Sequence, residues 1–116
     1  MVSTSDVLDR HLKCFAEYDL DGVLADYSSD AVLFVPTGPL KGPGAIKTLF
    51  QGLVSEFAKP GSSFTMKLRC VEGDYAYIIW TAETVHNSYE FATDTFVVRS
   101  GKIIAQSFAA KVKPKR

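Results

Sequence analysis

The chain has 116 residues, in which 13 Lys and Arg balance 13 Asp and Glu, and it carries five Tyr, eight Phe and one Trp. That length predicts one domain, residues 1–116, able to bury roughly two-thirds of the surface its unfolded chain exposes. The cancelled charge excludes the basic footprint of a nucleic-acid binder, no window reaches membrane-spanning length, and the weight on large rings points to a core or to a pocket for apolar ligands.

Met1 to Asp6 shows no basic segment followed by an apolar run, so neither a signal peptide nor an anchor is expected. Ser3 or Ser5 can cap a first helix, on which Val7, Leu8, Leu12 and Phe15 share a face with His11. Asp19 can cap a second, short helix over Leu20 to Tyr27, with Leu20, Val23, Leu24 and Tyr27 inward and Gly22 weakening it. A first strand is expected over Ala31 to Val35, ended by Pro36. The turn-rich stretch Thr37 to Gly44 reads as a long loop, a lip over something. Ala45 to Phe57 repeats apolar residues at helical spacing, and Lys59-Pro60-Gly61 stops it.

From Ser63 the period becomes two. One strand runs to Val71, Glu72-Gly73-Asp74 turns the chain, and a second runs from Tyr75 to about His86 with Trp80 on one of its faces. Asn87-Ser88 reads as a hairpin tip before two last strands, Tyr89 to Arg99 and Lys102 to Val112. Cys14 and Cys70 lie in separate elements without metal or redox spacing, which predicts two reduced thiols and a cytoplasmic protein. The short basic tail, Lys111 to Arg116, reads as a solvated terminus.

Helices first and strands afterwards imply an α+β fold, three N-terminal helices packed on one face of a mostly antiparallel sheet. The sheet's other face would carry Tyr77, Ile79, Thr93, Thr95, Val97, Ile103, Ala105 and Ser107, a surface apolar enough to predict a homodimer. On the inner face Asp94 sits among Ala92, Phe96 and Val98. A carboxylate there is either a pocket acid whose pKa burial raises, or a structural group satisfied by a donor such as His11. His11 in turn is either the partner that Asp94 orients or an ordinary helix histidine under a hydrogen bond. Gln106, placed on the same face as Ile104 and Phe108, must be a ligand contact or part of a polar network.

Phe15, Tyr27, Phe34, Phe50, Trp80, Phe96 and Phe108 are candidate walls, Trp80 and Tyr27 foremost because each carries a polar handle. His86 and Glu90 read as exposed turn and edge residues. Gly38 to Gly44 lacks the Lys-Ser/Thr of a phosphate loop, and neither metal-ligand spacing nor a nucleophile elbow occurs, so no cofactor is expected.

In this order of elements the chain resembles the nuclear transport factor two-like superfamily, and within it the SnoaL-like polyketide cyclases and ketosteroid isomerases. The carriers are Asp19-Leu20-Asp21-Gly22 leading to Tyr27, Asp30-Ala31-Val32, the loop of Pro36, Gly38 and Gly42 with Ala45-Ile46, the strand from Asp74 to Trp80, and Asp94-Thr95-Phe96 before Gly101-Lys102-Ile103. The resemblance implies a cone-shaped α+β barrel enclosing one pocket. It also implies that Asp94 occupies the place of a protonated acid that donates to a developing oxyanion. His11 falls where ketosteroid isomerases have an oxyanion-binding tyrosine, and Val35 where they have the proton-moving aspartate. Valine cannot titrate, so ketosteroid isomerisation is excluded. The expectation is a pocket for a small hydrophobic, carbonyl-bearing molecule, with Asp94 and His11 catalytic in cofactor-free acid-base chemistry. A non-catalytic ligand-binding or assembly module is the alternative.

Overall fold

Ser3 accepts a hydrogen bond from the Asp6 amide at 3.0 Å while the Asp6 carboxylate accepts one from the Ser3 amide at 3.2 Å, and this reciprocal cap starts helix α1, Thr4–Ala16. A computed structural model describes residues 2–115. Thr4, Val7, Leu8 and His11 form the buried stripe of α1. Asp19 caps α2, Leu20–Ala25, through the Gly22 amide. A Cβ at Gly22 would come within 2.7 Å of the Cys14 sulfur, so glycine lets α2 lie close against α1.

The second helix is shorter than its sequence pattern predicts. Asp26 ends it, and the Asp26 carbonyl accepts from the Ile103 amide at 2.8 Å, which draws the chain into strand β1, Tyr27–Val35. Tyr27 therefore opens a strand. The predicted lip is also a strand in its central part: Gly38–Lys41 forms β2, antiparallel to β1. Pro39 is tolerated there because β2 is an edge, with one side free of ladder hydrogen bonds. Helix α3, Gly42–Phe57, follows with Pro43 in its first turn and Ile46, Phe50 and Phe57 buried.

Strands β3 (Ser63–Glu72), β4 (Tyr75–Glu83), β5 (Asn87–Arg99) and β6 (Lys102–Pro114) make an antiparallel meander. The β4–β5 turn falls at Thr84 to His86 rather than at Asn87-Ser88, because the buried Thr84 hydroxyl accepts from the His86 and Asn87 amides at 3.3 and 3.0 Å. The sheet order is β2-β1-β6-β5-β4-β3, with β1 and β6 its one parallel pair. Three helices pack on this curved, open sheet, so the α+β expectation holds.

Two apolar clusters fill the concave side, one between α1 and strands β4 to β6 and one between α2, α3 and β1. The structure corrects two expectations about which side chains face them. The extra residue Ile104 between paired Val97/Ala105 and Val98/Ile103 turns Ile103 inward, where it is buried, so Ile103 leaves the outer face. Leu33, fully buried, is the inward residue of β1, and Phe34 points outward with half its surface exposed. Among the described residues no helix is long and apolar enough to cross a membrane.

Candidate functional site

Asp94 lies opposite Ile78 of β4 on one side and Phe108 of β6 on the other. Two positions along each neighbour stand Trp80 and Gln106, the diagonal distance from which long side chains reach across a sheet face. The Trp80 indole N–H donates to Asp94 Oδ2 at 2.7 Å and the Gln106 amide donates to Oδ1 at 2.9 Å. All three groups are buried. Burial pushes the Asp94 carboxyl pKa up, opposed by the donors Trp80 and Gln106 and by the neighbouring His11.

The expected direct pair of Asp94 and His11 is absent, and a chain of side chains joins them. Gln106 Oε1 accepts from the Tyr27 hydroxyl, and the Tyr27 oxygen lies 3.4 Å from His11 Nε2. Tyr27 is held protonated, its pKa raised well above the ordinary value by burial first and then by the charges of Asp94 and Asp26. His11 Nδ1 faces Asp26 Oδ2 at 3.4 Å, and Asp26 Oδ1 accepts from Arg10 Nε at 2.6 Å. The imidazole is wedged edge-on against Tyr27, Phe50 and Phe96, at ring separations of 5.4, 5.8 and 5.7 Å, which fixes its plane.

Asp26 was not legible as a site residue. It is one of four acids between Asp19 and Asp30, and nothing local separates it from the others. The packing of α2 on α1 buries it completely beside Arg10 and His11. Burial by itself would raise its pKa, but the contacts with His11 and Arg10 hold it below the ordinary carboxylate value. Neither Nδ1 nor Oδ2 makes a hydrogen bond among the described residues, so the hold of this carboxylate on the ring is electrostatic, and Nε2 faces Tyr27 on the other side.

His11, Asp94 and Gln106 open on a cavity of about 60 Å³ between α1, α3 and the sheet. Phe15, Phe50, Trp80, Phe96 and Phe108 line it, as the sequence pattern predicts. Leu33 takes the place expected for Phe34, which sits on the opposite face of β1. Tyr27 meets the site through its hydroxyl. Val35 shares the inward parity of Leu33 and packs against the core, so the inward residue at that point of β1 has no titratable group. His86 and Glu90 lie outside, exposed, beside Lys59 and Lys111 respectively. With two acceptor oxygens, an imidazole and a phenol around an apolar space, the site can exchange a proton with a group held there.

No curated protein sequence matches the chain. Solved structures do, and three of them, at 10–14% identity, speak for the fold alone. SalBIII, described as an epoxide hydrolase/cyclase-like enzyme in pyran ring formation in the polyether salinomycin, is 14% identical with a TM-score of 0.80, over 97% of this chain and 95% of that one. An NTF2-like protein of unknown function from Cytophaga hutchinsonii is 10% identical with a TM-score of 0.78, covering 96% and 92% of the two chains. A putative ketosteroid isomerase from Kribbella flavida is 11% identical with a TM-score of 0.75, covering 97% and 81%. The model of the SnoaL-like domain matches residues 8–106, nearly the whole of α1 through the middle of β6, and the chain belongs to that family.

Proposed function

We propose that this protein is a cofactor-free acid-base catalyst of the cyclase, isomerase or lyase kind, acting on the carbonyl- or hydroxyl-bearing end of a small hydrophobic molecule. The observation that carries this reading is Asp94, an acid buried in an apolar chamber and linked through Gln106 and Tyr27 to His11. Asp94 acts as the acid, and His11 stands as its partner at the far end of the chain. The similarity to SalBIII, a cyclase-like enzyme, agrees with that class. Val35 at the inward position of β1 argues against a ketosteroid-type proton shuttle.

Comparing Asp94→Asn with the wild-type protein on panels of ketones and epoxides tests the proposal. Asparagine keeps the shape and reverses the hydrogen bond with Gln106, so the variant folds and retains ligand while turnover disappears. Because the Asp94 pKa is raised, wild-type activity holds below that pKa and falls as the pH rises through it. If no wild-type turnover is found on any substrate of the panels, the protein is a binding module.

We further propose a homodimer through the outer sheet face, supported by the half-exposed Phe34 and Tyr75 there and by Tyr77, Ile79 and Val97. Sedimentation that shows a monomer at all concentrations would remove this part. A cytoplasmic location is supported by the free thiols of Cys14 and Cys70.

A further inference from the structure

The chamber of about 60 Å³ holds only about five water-sized spheres, too few for a hydrophobic substrate of ordinary size. Next to it lies a groove of about 460 Å³ between the end of α1, the end of α3 and the start of β3. Leu12, Phe15, Phe57 and Phe64 line both spaces, so one apolar wall of four side chains bounds the two. The outer rim is different in character. Lys13 is the one charged residue there, beside Tyr18, Ser62 and Ser63. Lys13 takes part in none of the ion pairs among the described residues. The Ser62 hydroxyl is committed to the Phe57 carbonyl at the end of α3, which leaves Lys13, Tyr18 and Ser63 as the rim's donors.

Tyr18 is set at the groove wall by the way α1 ends. The Tyr18 amide donates to the Phe15 carbonyl and the Asp19 amide to the Cys14 carbonyl, the bonds that close a helix through a left-handed residue. Tyr18 has φ of 59°, a conformation that glycine adopts freely and a bulky residue adopts at a penalty. Those two hydrogen bonds offset the cost of the conformation, and Tyr18 stays 47% exposed at the groove wall.

We infer that the groove binds the body of the substrate, an elongated apolar skeleton that lies against Phe15, Phe57, Phe64 and Tyr18, and that ends in an anionic group such as a carboxylate paired with Lys13. The opposite, oxygen-bearing end of the molecule enters the chamber. This rests on the reading of the chamber as the reacting end. It names the substrate class as an amphipathic acid with a carbonyl or hydroxyl at its far end.

Equilibrium binding of two fluorescent probes tests the inference without turnover: 8-anilinonaphthalene-1-sulfonate and its uncharged parent, N-phenyl-1-naphthylamine. The wild-type protein binds the sulfonate more tightly. Lys13→Gln weakens the sulfonate about three- to tenfold and leaves the neutral probe unchanged. Tyr18→Gly weakens both probes yet melts about 2–4 °C above wild type, because relief of the left-handed strain exceeds the chain entropy that glycine adds. Because the readout is probe binding and not turnover, loss of the catalytic reading would leave this result standing. The inference is overturned if neither probe saturates, if Lys13→Gln leaves the sulfonate affinity unaltered, or if Tyr18→Gly binds at full strength. It is equally overturned if Tyr75→Ser, on the outer sheet face, is the change that releases the probes.

Discussion

Replacing Asp26 by asparagine removes the carboxylate on which the orientation of His11 depends. Asp26 is fully buried and serves two cationic or protonatable neighbours, Arg10 at 2.6 Å and His11 at 3.4 Å. Breaking a buried ion pair on one side is worth about 3–5 kcal/mol when both partners are enclosed. Arg10 keeps nearly half of its side chain in water and can rehydrate, so the expected loss is smaller, about 2–3 kcal/mol. For a chain of this length unfolding entropy is about 0.24 kcal/mol per degree, which converts that loss to a fall of roughly 8–12 °C in melting temperature. The pH dependence supplies a second readout. The folded pKa of Asp26 lies below its unfolded value, so its contribution is fully present above about pH 4 and is lost as the pH falls through the folded value. Asp26→Asn should therefore flatten the acid limb of the stability curve between about pH 5 and 2. Chemical denaturation at several pH values, with circular dichroism, measures both quantities. A variant that melts within about 2 °C of wild type and keeps its acid limb would refute the claim that Asp26 positions His11.

Two other substitutions probe the frame around the site. Leu33→Ala, at a fully buried position lining the chamber, should cost about 3–5 kcal/mol, whereas Phe34→Ser on the exposed face should change stability by no more than about 0.5 kcal/mol. Equal effects in thermal melts would mean that the two residues do not face opposite ways. Glu56 of α3 accepts from the Thr84 hydroxyl at 2.6 Å, the Asn87 amide at 2.8 Å and the Tyr89 hydroxyl at 2.9 Å, and so ties α3 to the β4–β5 turn. Burial opposes ionisation of Glu56, but the three donors outweigh it and lower the pKa. Glu56→Gln should destabilise by about 1–2 kcal/mol at neutral pH, with a shrinking difference from wild type as the solution is acidified below about pH 4. A difference that grows on acidification would contradict the assignment.

Several residues of the site could be read from the sequence because strand parity is a local property. Asp94, Phe96 and Trp80 were placed inward by alternation alone, and the structure puts them there. Gln106 and Phe108 were likewise assigned correctly, although the neighbour named with them, Ile104, was not, since the bulge in β6 exchanges it for Ile103. Tyr27 is predicted at the end of a helix, and the structure makes it the first residue of β1. Its inward aim comes from the parallel pairing with β6, a partner about 75 positions away in the chain. The groove residues Lys13 and Tyr18 carried no sequence signal, as an exposed lysine and tyrosine at a helix end are ordinary in composition.

Local periodicity encodes faces: the buried stripe of α1 with His11 on it, the meander of four strands, and a buried acid on the third of these. Where local patterns are silent or ambiguous, the convergence of distant elements settles the outcome. Along Ala31 to Val35 both parities are apolar, so the packing of α3 and β6 chose Leu33 over Phe34 for the interior. Among four acids near α2, the approach of α2 to α1 chose Asp26 as the counter-charge of Arg10 and His11. The route from Asp94 to His11 follows the same rule. Its four links come from β5, β6, β1 and α1, and no periodicity within one element can announce a hydrogen bond that forms when separate elements converge.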